Sequence, residues 1–169
     1  MNIRIAGIVN DSIVDGAGIR FTIFVQGCPH KCRGCHNPQT HDFEGGTDTT
    51  TEELLGKIKA NPLLDGVTFS GGEPFCHAAA LADLAHEIHA LGLDIVTYSG
   101  YTFEELLSGA DMHPEWLELL KETDILIDGR YEEELKSYDV RFRGSTNQRY
   151  LDAKMSLMQK KAVSADLPE

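Results

Sequence analysis

The chain reads as a single-domain α/β protein, a partial, open β/α barrel built on a parallel sheet. Three observations predict it. Apolar runs of strand length alternate with segments of helical period from residue 19 to residue 128. Each strand-like run ends in glycine and polar residues, the rim at which parallel sheets carry their functional groups. The 169 residues also fall short of the roughly 250 that a closed eight-unit barrel needs, so one side of the sheet must stay open.

Each element follows from local chemistry. Ile19-Arg20-Phe21-Thr22-Ile23-Phe24-Val25 is β-branched and aromatic, the composition of a buried strand, and Gly27 breaks it. Gly45-Gly46 turns the chain toward Thr50-Thr51-Glu52-Glu53, whose capping-box spacing starts a helix that runs to about Ala60 and stops at Asn61-Pro62. A short buried strand follows at Gly66-Val67-Thr68-Phe69-Ser70. The next helix carries Ala80, Leu81, Leu84, Ala85 and Ile88 on one face and ends at Gly92. Leu93 to Tyr98 is a third strand, Thr102 and Glu105 form a second capping box, Pro114 opens a helical segment through Leu120, and Asp124 to Asp128 is a fourth strand. Beyond Lys154 the sequence turns polar and aperiodic. The domain is therefore expected at residues 1–153, with a loose polar tail at 154–169.

Composition narrows the function. A net charge of -12 argues against a nucleic-acid partner, because counterion release requires a face lined with Lys and Arg. No apolar run is long enough to span a bilayer, and Met1-Asn2-Ile3-Arg4 has no hydrophobic leader character. The expectation is a cytoplasmic protein, where thiols stay reduced, with neither nucleic acid nor membrane among its partners.

Three of the four cysteines fall in Cys28-Pro-His-Lys-Cys32-Arg-Gly-Cys35, at the end of the first predicted strand. A cubane of four irons and four sulfurs normally takes four cysteines, so a loop supplying three leaves one iron free to hold a reactant. The alternative is a structural zinc ion with His30, His36 or His41 as fourth ligand, but the spacing matches neither paired C-x2-C nor H-x3-5-H patterns. Cys76 lies far along the chain and reads as a small semi-buried side chain. His77, His86 and His89 lie on a helix whose apolar face is already filled, and read as solvated.

The second strand runs into Gly71-Gly72-Glu73-Pro74. Two glycines permit close approach of backbone to a small polar ligand, and Glu73 can accept hydrogen bonds from an ammonium group. The third and fourth strands end in Tyr98-Ser99-Gly100-Tyr101 and Asp128-Gly129-Arg130-Tyr131, which completes four strand ends around one concave site.

With the cysteine loop and the Gly-Gly-Glu turn on successive units, the chain resembles the radical S-adenosylmethionine enzymes. Val14-Asp15-Gly16-Ala17-Gly18-Ile19-Arg20-Phe21, Gly27-Cys28, Cys35-His36-Asn37 and Arg143-Gly144-Ser145-Thr146-Asn147-Gln148-Arg149 narrow the resemblance to glycyl-radical-enzyme activating proteins. It implies a radical S-adenosylmethionine type of partial barrel. It also implies a 4Fe-4S cluster on Cys28, Cys32 and Cys35, with S-adenosylmethionine chelating the fourth iron. Reductive cleavage of that cofactor then produces a deoxyadenosyl radical that takes a hydrogen atom from a glycine Cα of a partner.

The same resemblance places Gly34, His36, Gly71, Gly72, Glu73, Ser99 and Asp128 around the cofactor, with Asp128 near its carboxylate through a cation or as a cap. Many relatives have an aromatic residue before the third cysteine, against the adenine. Gly34 stands there in this chain, so His36 is the candidate cover. Asp15 and Arg20 are candidates for the entrance used by the partner, while Arg143, Ser145 and Asn147 are assigned by resemblance alone. The implied partner is a glycyl radical enzyme, of which anaerobic ribonucleoside-triphosphate reductase fits best, with reduced flavodoxin or a similar protein as electron donor. The alternatives are a pyruvate formate-lyase type of partner, a small-molecule substrate or, more remotely, a zinc-binding interaction domain.

Overall fold

The computed structural model describes residues 1–168, so Glu169, the last residue of the expected tail, lies outside the described residues. Seven strands form one sheet: β1 (Asn2–Ser12), β2 (Arg20–Val25), β3 (Thr47–Thr50), β4 (Gly66–Gly71), β5 (Asp94–Tyr98), β6 (Ile125–Asp128) and β7 (Arg149–Asp152). Their order across the sheet is β3-β1-β2-β4-β5-β6-β7. The four strands read from sequence are β2, β4, β5 and β6, and they pair parallel as expected. The other three correct the all-parallel picture. β1 pairs antiparallel with both β2 and β3, and β7 pairs antiparallel with β6, so the sheet is mixed, with β3 and β7 as unjoined edges.

Five helices complete the α/β arrangement: α1 (Thr51–Lys59), α2 (Ala78–Ala90), α3 (Phe103–Gly109), α4 (Pro114–Glu122) and α5 (Ala153–Gln159). Thr50 caps α1 by accepting from Glu53 N, and Thr102 with Glu105 makes the full reciprocal capping box on α3. The residues after Lys154 depart from the loose tail. Asp152 accepts from Met155 N to cap α5, Ser156 is buried, and Ser164 forms a bridge to Leu151. Ser156 explains why period analysis misses this helix. Its hydroxyl accepts from Val163 N, so a polar residue fills the buried position.

Alternation along the strands sorts residues to two faces. Phe21, Ile23 and Val25 of β2, Val67 and Phe69 of β4, and Ile95 of β5 join the main core with Leu81, Leu84 and Ile88 of α2 and Leu119 and Leu120 of α4. Val96, Ile127 and Tyr150 form a small cluster apart from it, against Tyr98 and Phe142. No helix among the described residues is long and apolar enough to cross a membrane.

His89 joins α2, α4 and the start of β6 and is not merely solvated. Its Nδ1 lies 2.8 Å from Glu122 Oε2 and its Nε2 2.8 Å from Asp124 Oδ2. His86 also faces Glu122, and Lys154 faces Asp124. Burial opposes charge on His89, but the hydrogen bonds to Asp124 and Glu122 prevail and raise its pKa. A group with a raised folded pKa stabilises fully below its unfolded value, about 6.5 for histidine, and the gain fades as pH rises through the folded value. Thermal unfolding of the metal-free protein is therefore expected to lose stability across this window, and His89→Gln is expected to flatten that slope. Identical slopes for the two proteins would refute the role given to His89.

Candidate active site at the carboxyl rim of the sheet

β2 delivers the chain to a loop closed at both ends. Gly27 N donates to Thr40 O at 2.6 Å and Cys28 N donates to His41 O at 3.2 Å, which pins the segment between them over the rim. Inside it Lys31 adopts left-handed backbone, φ 52°, uncommon for a lysine. Cys28 is buried, Cys32 and Cys35 are half-buried, and all three line one cavity of about 350 Å³. Burial pushes the Cys28 and Cys32 thiols up, against the pull of backbone amides of His30 and Lys31 on Cys28 and of Tyr131 on Cys32. Asn37 N donates to Cys35 Sγ at 3.4 Å. Buried thiols of this kind lose their protons on binding a cation. Among the described residues no three His, Cys, Asp or Glu side chains converge on one point where a single ion could sit. Three thiols in one cavity lining suit a cluster with several irons.

The opposite wall is backbone. Gly71 has φ 95°, and a Cβ on it would lie 2.7 Å from Phe24 Cα, while a Cβ on Gly72 would strike the Gly27 carbonyl. The absence of both side chains lets the turn run directly against the end of β2. Gly72 N donates to Val25 O at 2.9 Å and Glu73 N to Gly27 O at 2.8 Å, so the glycine turn and the base of the cysteine loop form one unit.

Four of the expected residues do not line the cavity. Glu73 does not line the cavity and has no free acceptor for an ammonium group. It is fully buried, receiving Phe75 N at 2.9 Å, Ser99 Oγ at 3.0 Å and Gly100 N at 2.8 Å, with His30 Nε2 at 2.6 Å. Asp128 lies outside the main cavity. It receives Phe103 N at 2.6 Å and a two-pronged Arg149 guanidinium at 2.9 and 2.5 Å, so it holds the start of α3 and does not cap the segment that follows it. Arg20 is 1% exposed and no part of an entrance. It ties Thr68, Val67, Ala17 and Asp94 together behind the rim. Gly34 faces away from the cavity, where a Cβ would strike the side chain of Glu133.

The remaining expected residues, Asp15, His36, Gly71, Gly72 and Ser99, do line the cavity. His36 lies 5.0 Å from the Tyr131 ring and presents an aromatic pair on the wall. Tyr98 and Phe142, which sequence reasoning assigned no role, close another side, and the Tyr98 hydroxyl donates to Phe142 O at 2.6 Å. Burial raises the Tyr98 pKa, so the phenol stays neutral. Of the residues assigned by resemblance, Arg143 lines the cavity, Ser145 is buried and accepts from Glu132 N, and Asn147 donates to Arg130 O at 2.8 Å. Arg149→Leu is expected to lower stability by about 3 kcal/mol, because it leaves the Asp128 charge buried and unpaired. The denaturant midpoint of the metal-free protein measures this, and a loss below about 1 kcal/mol would show that Asp128 finds other compensation.

Three thiols and a glycine cradle at the carboxyl rim of a parallel sheet, around a cavity of small-ligand size, are the layout of an enzyme that holds one iron-sulfur cluster beside a small polar cofactor. The 4Fe-4S single cluster domain family matches residues 14–151. The chain is 35% identical over 143 residues to the anaerobic ribonucleoside-triphosphate reductase-activating protein of Enterobacteria phage T4, spanning 80% of this chain and 85% of that protein. It is 39% identical over 118 residues to the pyruvate formate-lyase-activating enzyme of Clostridium pasteurianum, spanning 64% of this chain and 50% of that enzyme. The crystal structure of QueE from Escherichia coli aligns with 60% of this chain and 54% of that one, at a TM-score of 0.48 and 20% identity. The chain belongs to the 4Fe-4S single cluster domain family and, within it, to the anaerobic ribonucleoside-triphosphate reductase-activating proteins. It is a radical S-adenosylmethionine enzyme, and its cofactors are a 4Fe-4S cluster and S-adenosylmethionine.

Proposed function

We propose that this protein installs a glycyl radical on an anaerobic ribonucleoside-triphosphate reductase. The observation that carries the reading is that the three thiols and the Gly71-Gly72 turn share one cavity wall to wall, in a chain so similar to activators of that reductase. Cys28, Cys32 and Cys35 hold the cluster, the glycine turn receives the methionine end of S-adenosylmethionine, and His36 with Tyr131 covers the adenine. When bound, the reduced cluster and S-adenosylmethionine together supply the radical chemistry that removes a hydrogen atom from a glycine Cα.

The chain's own task is enclosure. A reactive alkyl radical attacks nearly any C-H bond, so water must be excluded and the target hydrogen held in contact. The sheet, with β3 and β7 as its outermost strands, acts as a partial barrel whose open side the partner's glycine loop completes. Val14, 70% exposed, and Asp15 stand at the cavity mouth, where that loop would enter. Reduced flavodoxin or a similar protein supplies the electron, and the setting is cytoplasmic, with no nucleic acid or membrane partner. The similarity to the pyruvate formate-lyase-activating enzyme favours, as second reading, a lyase of that kind as the target.

The test is anaerobic incubation of reduced, cluster-loaded protein and S-adenosylmethionine with each candidate partner, followed by electron paramagnetic resonance. A glycyl radical on the reductase and none on the lyase is the expected result. Cofactor cleavage with no radical on either protein would overturn the assignment of a glycyl partner.

A further inference from the structure

We propose that His30 is a positioning residue for the S-adenosylmethionine site: its imidazole clamps the cysteine loop to buried Glu73 and so fixes the thiols relative to the Gly71-Gly72 and Ser99-Gly100 turns. The inference rests on the reading above that this cavity receives the cofactor.

His30 sits in the middle of a polar loop, between exposed Pro29 and Lys31, yet its side chain is only 4% exposed. Its Nε2 lies 2.6 Å from Glu73 Oε1. The other three groups on that carboxylate, Phe75 N, Gly100 N and Ser99 Oγ, are all donors, so the carboxylate accepts and Nε2 carries the hydrogen. The ring meets Tyr101 edge to face at 4.5 Å. It also lies flat over Gly100, where any Cβ would collide with His30 Cδ2 and Nε2. Gly100 lacks a positive φ, so its missing side chain serves the imidazole and not the backbone.

The slot has a purpose that packing alone does not require. The loop is pinned at its ends by Gly27–Thr40 and Cys28–His41 bonds, with Cys32 and Cys35 between them. His30 adds a third pin between the first two thiols. The group it grips, Glu73, is the same one that ties the turn after β4 to the turn after β5. One carboxylate therefore sets the relative position of the metal-binding and cofactor-binding halves of the cavity. With Nε2–H engaged in this way only Nδ1 is left free, and the iron content of the variants separates a support from a ligand. Displacement of reacting groups by about an ångström costs on the order of a hundredfold in rate, so such a support has leverage.

The experiment uses the full chain, reconstituted anaerobically with iron and sulfide, as wild type, His30→Ala, His30→Gln, Gly100→Ala and His30→Ala combined with Gly100→Ala. Iron content and S-adenosylmethionine affinity by equilibrium dialysis are measured on each. The expected result is unchanged iron in every variant and about tenfold weaker S-adenosylmethionine binding in His30→Ala, the scale of a lost supporting contact. His30→Gln, which keeps a donor at the Nε2 position, should recover most of the affinity. Gly100→Ala should weaken binding by itself, and adding it to His30→Ala should cost nothing more, because the ring its methyl strikes is gone.

Undiminished affinity in His30→Ala, additive losses in the double variant, or iron loss in His30→Ala would each overturn the proposal, the last because it would make His30 a ligand. Should His30→Ala fail to fold, His30→Gln and Gly100→Ala decide by the same readouts. A wild-type protein that takes up its cluster but binds no S-adenosylmethionine would overturn the reading of the cavity itself, and this inference with it.

Discussion

Glu73→Ala is expected to destabilise the metal-free protein by about 4 kcal/mol or more, among the largest effects any single substitution here should have. The substitution removes no apolar packing of note. It strips the acceptor from Phe75 N, Ser99 Oγ, Gly100 N and His30 at once, in a place where Glu73 is 0% exposed and water cannot substitute. Each buried donor left without a partner costs about 1–3 kcal/mol, and only partial relaxation of the three loops keeps the sum from being larger. Glu73→Gln should cost less, since it keeps one acceptor oxygen while turning an amide donor toward groups that also donate. Denaturant unfolding of the three proteins measures both values. A loss under about 1 kcal/mol for the alanine variant would mean that this carboxylate does not organise the rim.

Cys28→Ala is expected to abolish the cluster and with it every radical product. Cys28 is the most enclosed of the three loop thiols, and its sulfur faces the backbone amides of His30 and Lys31. The protein should purify colourless, with iron at background and no cleavage of S-adenosylmethionine. Cys76→Ala is the control. That residue lies outside the cavity, and desolvation with the nearby Glu73 charge pushes its thiol up to about 12. Retained iron in Cys28→Ala, or its loss in Cys76→Ala, would refute the ligand assignment.

What could be read in one dimension was whatever is written locally. β2, β4, β5 and β6 show as apolar runs because both of their faces are covered, and α1 and α3 announce themselves through Thr50 and Thr102. β7 has only Tyr150 and Leu151 to bury, too few for a period, and β3 is Thr47 to Thr50 with no apolar residue at all. Ile3 and Ile5 alternating with Asn2 and Arg4 did carry a signal for β1, buried on one side only.

The site divides along the same line. The cysteine spacing and the Gly71-Gly72 pair are local, and both reach the cavity. Glu73, Asp128 and Arg20 were rightly singled out as unusual, but charge in a sequence does not say which way it faces. Each turned out to be a buried hub with partners as far as 21, 43 and 74 positions away. His30 is the sharpest case, since nothing within the cysteine motif foretells a carboxylate 43 residues downstream.

Five glycines, Gly71, Gly72, Gly100, Gly129 and Gly144, take part in enclosing the main cavity. At those five positions the wall is main chain with no side chain to exchange, so point substitution there can hardly retune what the cavity holds. Divergence among enzymes of this design should therefore leave the inner chamber nearly constant and concentrate at the lip, at positions such as Val14, Phe142 and Arg143. There, a change of bulk or charge alters which visiting polypeptide is admitted without disturbing the chemistry within.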